Sequence, residues 1–370
     1  MPSRESIAAG LTPASWALGD DQCGLRAAAR QFAHERLEPL FGQQPDPSLW
    51  NETVRLAATL DLATMILPRE MGGMEVSQHD LSLVIEQFAA GPLERAAELT
   101  LSSPALMTLR KSNALDRLPH RDIQHYLDGT ISIALGIPDA DASSLWVLRH
   151  HPVSPVMMVR MDDEGPRLCL ARLPGGQDSH GVAPVAVLGA LSIERYPARP
   201  AGDTPILLAP GGVSQGGDPA RQWLIDTAIY LCTLLCGAVQ QSVNFALAYS
   251  VTRQTFRKPI IAHQLVAARL ADMLVSAHTT HLFLRSVTMQ DTHAQTALVP
   301  QMARHVCAEA MDVARELVQL CGGHGFVEGL PPAARFMSMH WFAALLMKVE
   351  AALRTFTASG SGHLPAGVSR

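Results

Sequence analysis

Tyr249-Ser250-Val251-Thr252-Arg253-Gln254-Thr255-Phe256-Arg257-Lys258-Pro259-Ile260-Ile261-Ala262-His263-Gln264 is a break between two helical patterns, and its reading decides the fold. Before it, Leu224, Ile225, Ala228, Leu231, Leu235, Ala238, Val239, Ser242 and Phe245 recur at three- and four-residue spacing, the apolar stripe of a long helix. After it, Gln264, Ala267, Ala268, Ala271 and Leu274 resume that spacing. Pro259 fixes the turn, because proline donates no backbone N–H and restricts the residue before it.

Working outward, four helices are predicted, Arg221 to Thr252, His263 to Val287, Ala297 to Cys321 and Pro332 to Thr357. They make a C-terminal four-helix bundle over 218–357, followed by a flexible tail, 358–370, rich in Gly and Ser. The N-terminal side is also helical, with patterns over 22–44, 50–62, 77–89, 99–111 and 118–127, which gives an N-terminal helical domain over 1–128. Between them the character changes. Ile131–Leu135, Pro155–Val159, Arg167–Ala171 and Pro205–Ala209 are short apolar runs bounded by Pro, Gly and Asp, which read as the strands of a middle β domain over 129–217. The fold class is therefore mainly α with a small β domain.

The bulk numbers exclude several function classes. In 370 residues, 48% are hydrophobic and 17% charged, with mean hydropathy +0.12, which suits a helix-rich soluble protein. No uninterrupted apolar run approaches the ~20 residues of a membrane helix, so no membrane insertion is expected. Met1-Pro2-Ser3-Arg4-Glu5 does not open a signal peptide, which makes cytoplasmic the default location. Net charge is −5 and the basic residues are scattered, which argues against a nucleic-acid partner. The 15 histidines are dispersed; His278 with His281, and His150 with His151, lack the neighbours of a zinc site, so no metal is expected. The six cysteines, including the helical pair Cys232 and Cys236, read as free thiols in a reducing compartment.

Three segments carry a resemblance. Tyr249, Arg253, Phe256, Pro259-Ile260, Gln264 and Leu270-Ala271-Asp272-Met273 resemble the helix–turn–helix signature of the acyl-CoA dehydrogenase family. Gln319-Leu320-Cys321-Gly322-Gly323-His324-Gly325-Phe326 is similar to its Gln-x-x-Gly-Gly-x-Gly-aromatic loop, and Leu67-Pro68-Arg69-Glu70-Met71-Gly72-Gly73-Met74 to its Pro-Glu-x-x-Gly-Gly segment. The resemblance implies the three-part architecture just drawn, with a shortened middle domain, and FAD as cofactor. It assigns Arg253 to phosphate oxygens, Phe256 to packing on the adenine and Gln264 to a nearby hydrogen bond. Gln319, Gly322 and Gly323 are assigned to close backbone approach, commonly across a subunit boundary.

The chain departs from the family in several places. Thr255 and Arg257 stand where the family usually has Gln and Gly. Ile137-Pro138-Asp139-Ala140-Asp141-Ala142-Ser143 replaces the Glu-Pro and Gly-Ser segment that contacts flavin and thioester. Trp146-Val147-Leu148 is the nearest counterpart of the family's flavin-side Trp-Val-Thr, and it comes too early. The family's reaction needs a carboxylate to remove the α proton while the β hydride passes to flavin N5. Its usual place falls on Leu346 or Met347, and its alternative place on Thr227. Asp226 and Glu350 are the nearest acids, and both read as solvated helix residues, so no catalytic residue is assigned.

Two functions follow from the resemblance. One is a flavoprotein acting on an acyl thioester, carried by coenzyme A or an acyl-carrier protein, with an atypical or missing base. The alternative is a non-catalytic accessory subunit of a heteromeric acyl-CoA dehydrogenase, resembling the short subunits of such enzymes. A helical scaffold without cofactor stands third. The first two imply a homo- or hetero-oligomer with an acyl-CoA dehydrogenase-like chain, with Trp341, Phe342, Leu345 and Leu346 as a candidate interface.

Overall fold

The longest helix, α7 (Pro219–Thr252), is apolar on every side, and the rest of the chain packs around it. Asp218 starts it, its side chain accepting the Ala220 N–H, with Pro219 in the first turn. Every side chain from Gln222 to Val239 is buried. In the computed structural model the described residues are 17–41, 46–59, 64–127, 129–141, 143–162, 165–174, 183–189, 191–197, 206–207, 218–327 and 329–360. The expected boundaries at 128 and 217, and the tail beyond 360, lie outside them.

Three more helices complete the bundle: α8 (Gln264–Thr288), α9 (Thr292–Cys321) and α10 (Pro331–Gly360). Helix α9 begins earlier than the sequence predicts, because Asp291 caps it by accepting the Ala294 N–H. By length and composition α7 and α10 could each cross a membrane, but the apolar window of α7 is wholly buried in the fold and 56% of that of α10 is. The expected interface on α10 is corrected. Phe342, Leu345 and Leu346 are buried in the chain's own bundle, and the face turned outward carries Met337 and Met347 instead.

The N-terminal region holds α1 (Asp20–Phe32), α2 (Pro47–Thr59), α3 (Gln78–Phe88), α4 (Leu93–Thr100), α5 (Ser103–Lys111) and α6 (His120–Leu127). Where the sequence predicts one helix over 99–111, the chain breaks between α4 and α5, with Pro104 in the first turn of α5. Ser77 opens α3 with a capping box shared with Asp80. Before α3, Gly73 lies against the Leu67 carbonyl, where a Cβ would come within 2.1 Å. Only glycine fits that turn.

Seven strands form one sheet in the order β5-β6-β2-β1-β3-β4-β7. They are β1 (Ala134–Pro138), β2 (Ser144–Arg149), β3 (Val156–Asp162), β4 (Gly165–Ala171), β5 (Ala183–Leu188), β6 (Leu191–Pro197) and β7 (Ile206–Leu207). Strand β1 pairs antiparallel with β2 and parallel with β3. The first strand sits three residues later than predicted, and β2, β5 and β6 were not predicted. Alternation sorts the sheet into two faces. Leu135, Ile137, Met157, Leu170 and Ile193 join the helical core, while Ala134, Val147, Val156, Met158 and Cys169 form a small second core. Trp223 of α7, fully buried, donates its indole N–H to the Gly136 carbonyl at 3.2 Å and so ties the bundle to β1.

Candidate functional site

Two regions bear on function, an end of the bundle that is open to solvent and a contact between sheet and bundle that is filled. At the open end, α7 closes where the Arg253 N–H reaches the Tyr249 carbonyl at 2.8 Å. A small hairpin follows, with β8 (Gln254–Thr255) paired to β9 (Lys258–Pro259). Its two central residues, Phe256 and Arg257, have φ of 49° and 65°. A two-residue hairpin turn of this hand favours Asn or Gly, so two bulky side chains there are held against their local preference. Phe256 is consequently thrown outward, 90% exposed. Arg253 and Gln264 are exposed beside it.

The second segment of this end is the loop after α9. Gly322 takes φ 57° and ψ −133°, a conformation open to glycine alone. A Cβ on Gly322 or Gly323 would meet nothing within 4 Å, so both present bare backbone to solvent, and Gln319 is exposed one turn earlier. The two segments are joined by Tyr249. Its hydroxyl lies 3.0 Å from His324 Nδ1 and 3.4 Å from the Cys321 carbonyl oxygen. Because α7 and α9 both end here, while α8 begins here, all six residues expected to hold a dinucleotide stand at one end of the bundle. A guanidinium, a flat exposed ring and bare glycine backbone suit the adenosine diphosphate half of FAD.

The filled region lies where the flavin ring and the base would be expected. Lys348 of α10 extends to Asp139 at the end of β1, Nζ to Oδ1 2.7 Å. Asp139 also accepts the Trp146 indole N–H at 3.0 Å and the Ser144 hydroxyl. The Lys348 ammonium sits 4.0 Å from the centre of the Trp146 ring, a cation–π contact. Burial alone would raise the Asp139 carboxyl, but the hydrogen bonds from Lys348, Ser144 and Trp146 hold it below the ordinary value. Asp139 belongs to the 137–143 segment expected to touch flavin, and Lys348 directly follows the expected base position. A direct hydrogen bond between these two walls leaves no thickness for a flat ring. The two segments are thus joined directly at the place where the resemblance sets the flavin ring.

Neither base position holds a carboxylate. Thr227 is fully buried, its hydroxyl without a hydrogen-bond partner among the described residues. One turn on, Tyr230 fills the α7–α4 contact, its hydroxyl donating to the Ala97 carbonyl at 3.2 Å and meeting Thr100 Oγ1 at 3.1 Å. Leu346 is buried, and Met347 lies in an unbroken helix.

The two acids nearby are corrected from the solvated residues expected. Asp226 is 1% exposed and Glu350 0%. Asp226 accepts Lys111 Nζ at 2.6 Å, Gln78 Nε2 at 2.9 Å and Thr108 Oγ1 at 2.9 Å, all from the N-terminal helices. Glu350 lies between Arg304 at 3.4 Å and Arg354 at 3.1 Å. Asp226 is held by three donors, and a carboxylate so engaged is not a free base, whereas Glu350 has two ion pairs on Oε1 and no hydrogen bond on either oxygen among the described residues. Sequence reasoning missed Asp139, Lys348 and Tyr230. The signal for Lys348 was a lone cation in the apolar run 342–349, which marks a partner elsewhere; Asp139 and Tyr230 carried none.

Comparison with known proteins gives a consistent result. The family model described as the acyl-CoA dehydrogenase N-terminal domain matches residues 19–110, and that of the C-terminal domain matches 217–348. The mitochondrial isobutyryl-CoA dehydrogenase of Dictyostelium discoideum is 22% identical over 360 residues, covering 85% of this chain and 83% of the relative. Butyryl-CoA dehydrogenase from Megasphaera elsdenii superposes with a TM-score of 0.69 at 17% identity, over 94% of this chain and 99% of that one. A glutaryl-CoA dehydrogenase from Mycobacterium smegmatis, solved in complex with FADH2, superposes with a TM-score of 0.68 at 18% identity, over 95% and 97%.

Proposed function

The chain belongs to the acyl-CoA dehydrogenase family, and on that footing we propose that it is the non-catalytic subunit of a heteromeric acyl-CoA dehydrogenase. It lends the bundle end carrying Arg253, Phe256, Gln264, Gln319, Gly322 and Gly323 to FAD seated mainly in a partner chain of the same family. The observation that carries this reading is the Lys348–Asp139 bridge, 2.7 Å long, set across the place where this chain would hold its own flavin ring. The lack of a carboxylate at Thr227, Leu346 or Met347 supports it further.

The division of labour is electrostatic. The adenosine diphosphate half of FAD carries the negative charge, and an exposed guanidinium with bare backbone N–H groups can bind it from outside. When bound, the flavin supplies the hydride acceptor; the partner would supply the base. In this chain Arg253 orients the pyrophosphate, Phe256 covers the adenine from solvent, and Gly322 and Gly323 let the backbone approach. The substrate is an acyl thioester bound by the partner, with coenzyme A as the carrier that the family relationship supports.

The test is a visible absorbance spectrum of the purified chain supplied with FAD and then butyryl-CoA. The chain alone is expected to show no bleaching of the flavin band. Bleaching without any second chain would overturn the proposal in favour of a self-sufficient dehydrogenase. Co-expression with acyl-CoA dehydrogenase-like chains of the same source should give one flavin-loaded complex, which loses its flavin when Arg253→Glu is introduced here. Undiminished flavin in that variant complex would count equally against the assignment.

A further inference from the structure

The open end of the bundle holds a further group that can become a cation. His324 directly follows the two glycines that present bare backbone, and it is exposed. Its Nδ1 lies 3.0 Å from the Tyr249 hydroxyl, and its ring stands edge-on to that of Tyr249, with centres 6.1 Å apart. Tyr249 is itself fixed from two sides. Its ring stacks on Phe245 one turn earlier, and its hydroxyl is 3.4 Å from the Cys321 carbonyl oxygen. Arg253 follows Tyr249 by four residues and so stands on the same side of α7, close enough for its charge to act on the hydroxyl. An imidazole engaged at one nitrogen presents the other in a set direction. Nε2 of His324 makes no hydrogen bond among the described residues.

The groups around this ring keep their charge near neutral pH. Burial first, and then the Cys321 thiol, raise the Tyr249 hydroxyl against the opposing charge of Arg253, so it stays a neutral donor. Burial pushes the Cys321 thiol up to about 11, and a guanidinium stays protonated. On α9, Glu316 is paired with Arg269 at 3.0 Å, and on α10, Arg335 is buried against the Ala90 carbonyl. His263, the other imidazole at this end, stands edge-on to Phe256, 3.3 Å from Thr255 Oγ1. An anion beside an imidazole favours the protonated form, in which both nitrogens donate. Nδ1 then gives its proton to the Tyr249 oxygen, whose own proton turns to the Cys321 carbonyl, and Nε2 donates outward. Resting on the reading of this end as a dinucleotide contact, we propose that His324 is a further ligand of the pyrophosphate, donating from Nε2, with Tyr249 as the residue that positions it. The open end then binds the dinucleotide more tightly as pH falls.

The experiment is a ligand-observed NMR titration of the full chain with ADP-ribose, at about pH 6 and about pH 8, where an imidazole changes charge. ADP-ribose carries its pyrophosphate as a diester, as FAD does, so the probe itself does not titrate in this range. Adenosine is the control without phosphate. The parent should bind ADP-ribose about threefold more tightly at the lower pH, the gain expected of one solvent-exposed ionic contact, and adenosine equally at both. His324→Gln should bind at the lower pH as weakly as the parent does at the higher, and so should Tyr249→Phe. The double variant should lose no more than either alone, because both changes remove one contact. His263→Gln should keep the pH dependence, and Arg253→Glu should bind at neither pH. Equal parent binding at both pH values, pH dependence that survives in His324→Gln, or its loss in His263→Gln would each overturn the role of His324 and leave the dinucleotide contact standing. An additional loss in the double variant would overturn the positioning role of Tyr249. No saturable binding of ADP-ribose to the parent at either pH would overturn both the role of His324 and the dinucleotide contact.

Discussion

The two ends of the relationship between bundle and sheet behave differently. At the open end, the hairpin at Phe256-Arg257 and the loop at Gly322-Gly323 point functional groups outward, with Phe256 90% exposed. At the sheet–bundle contact Lys348 pairs with Asp139, and elsewhere in the interior Asp226 pairs with Lys111 and Glu350 lies beside two arginines. A surface can serve a ligand held by another chain, whereas a cleft serves only if it stays empty for one. On the proposed reading, the fold offers a dinucleotide contact at its open end and fills its interior with ion pairs. Family membership fixes the fold, but activity has to be argued from the site.

The largest effect expected from breaking this contrast is on Asp226. Lys111→Met would leave a carboxylate that is 0% exposed at its side chain without its cation. Removing one partner of a buried pair costs about 3 kcal/mol or more. The denaturant midpoint should fall accordingly, with the slope unchanged. A variant as stable as the parent would mean that Asp226 is not structurally committed, and would restore it as a candidate base.

A smaller effect is expected at the bridge. Lys348 is 28% exposed at its side chain, and Asp139 keeps the Ser144 and Trp146 donors without it. Lys348→Met should therefore cost only about 1 kcal/mol of stability. It should not confer acyl-CoA-dependent bleaching of added flavin, because no carboxylate stands at Thr227, Leu346 or Met347. If bleaching did appear, the filled region would be a closed state of a working site, and the contrast between the two regions would dissolve.

Much of the open end was legible in the sequence because its determinants are local. Pro259 ends a helical pattern, and Gly322-Gly323 end another, within a few residues of the groups they position. The four bundle helices were legible because each runs for 25 residues or more between clear breaks. The filled region was not. Lys348 and Asp139 are 209 residues apart in the chain, and Lys111 and Asp226 are 115 apart, so only the packing of bundle on sheet and on N-terminal helices creates the pairs. Strand β6 (Leu191–Pro197) escaped because Glu194 and Arg195 interrupt its apolar residues.

The smallest expected effect is a matter of pH. The Asp139 carboxyl is raised by burial, yet the donors from Lys348, Ser144 and Trp146 outweigh this and hold it below its ordinary 3.8. A carboxyl held low in the folded state contributes its full stability above the unfolded value, and loses it as pH falls through the lower folded one. The bridge should therefore be intact across the neutral range and weaken only on acidification below about pH 4. In thermal melts taken at successive pH values, Asp139→Asn should be less stable than the parent at neutral pH and should fall less steeply on the acid side. Lys348→Met should lie between the two, since it removes the first of the three donors and leaves the others. Parallel acid limbs for the parent and Asp139→Asn would show that Asp139 titrates as a free carboxyl, and then the sheet–bundle contact is held by packing of the Trp146 ring and not by charge.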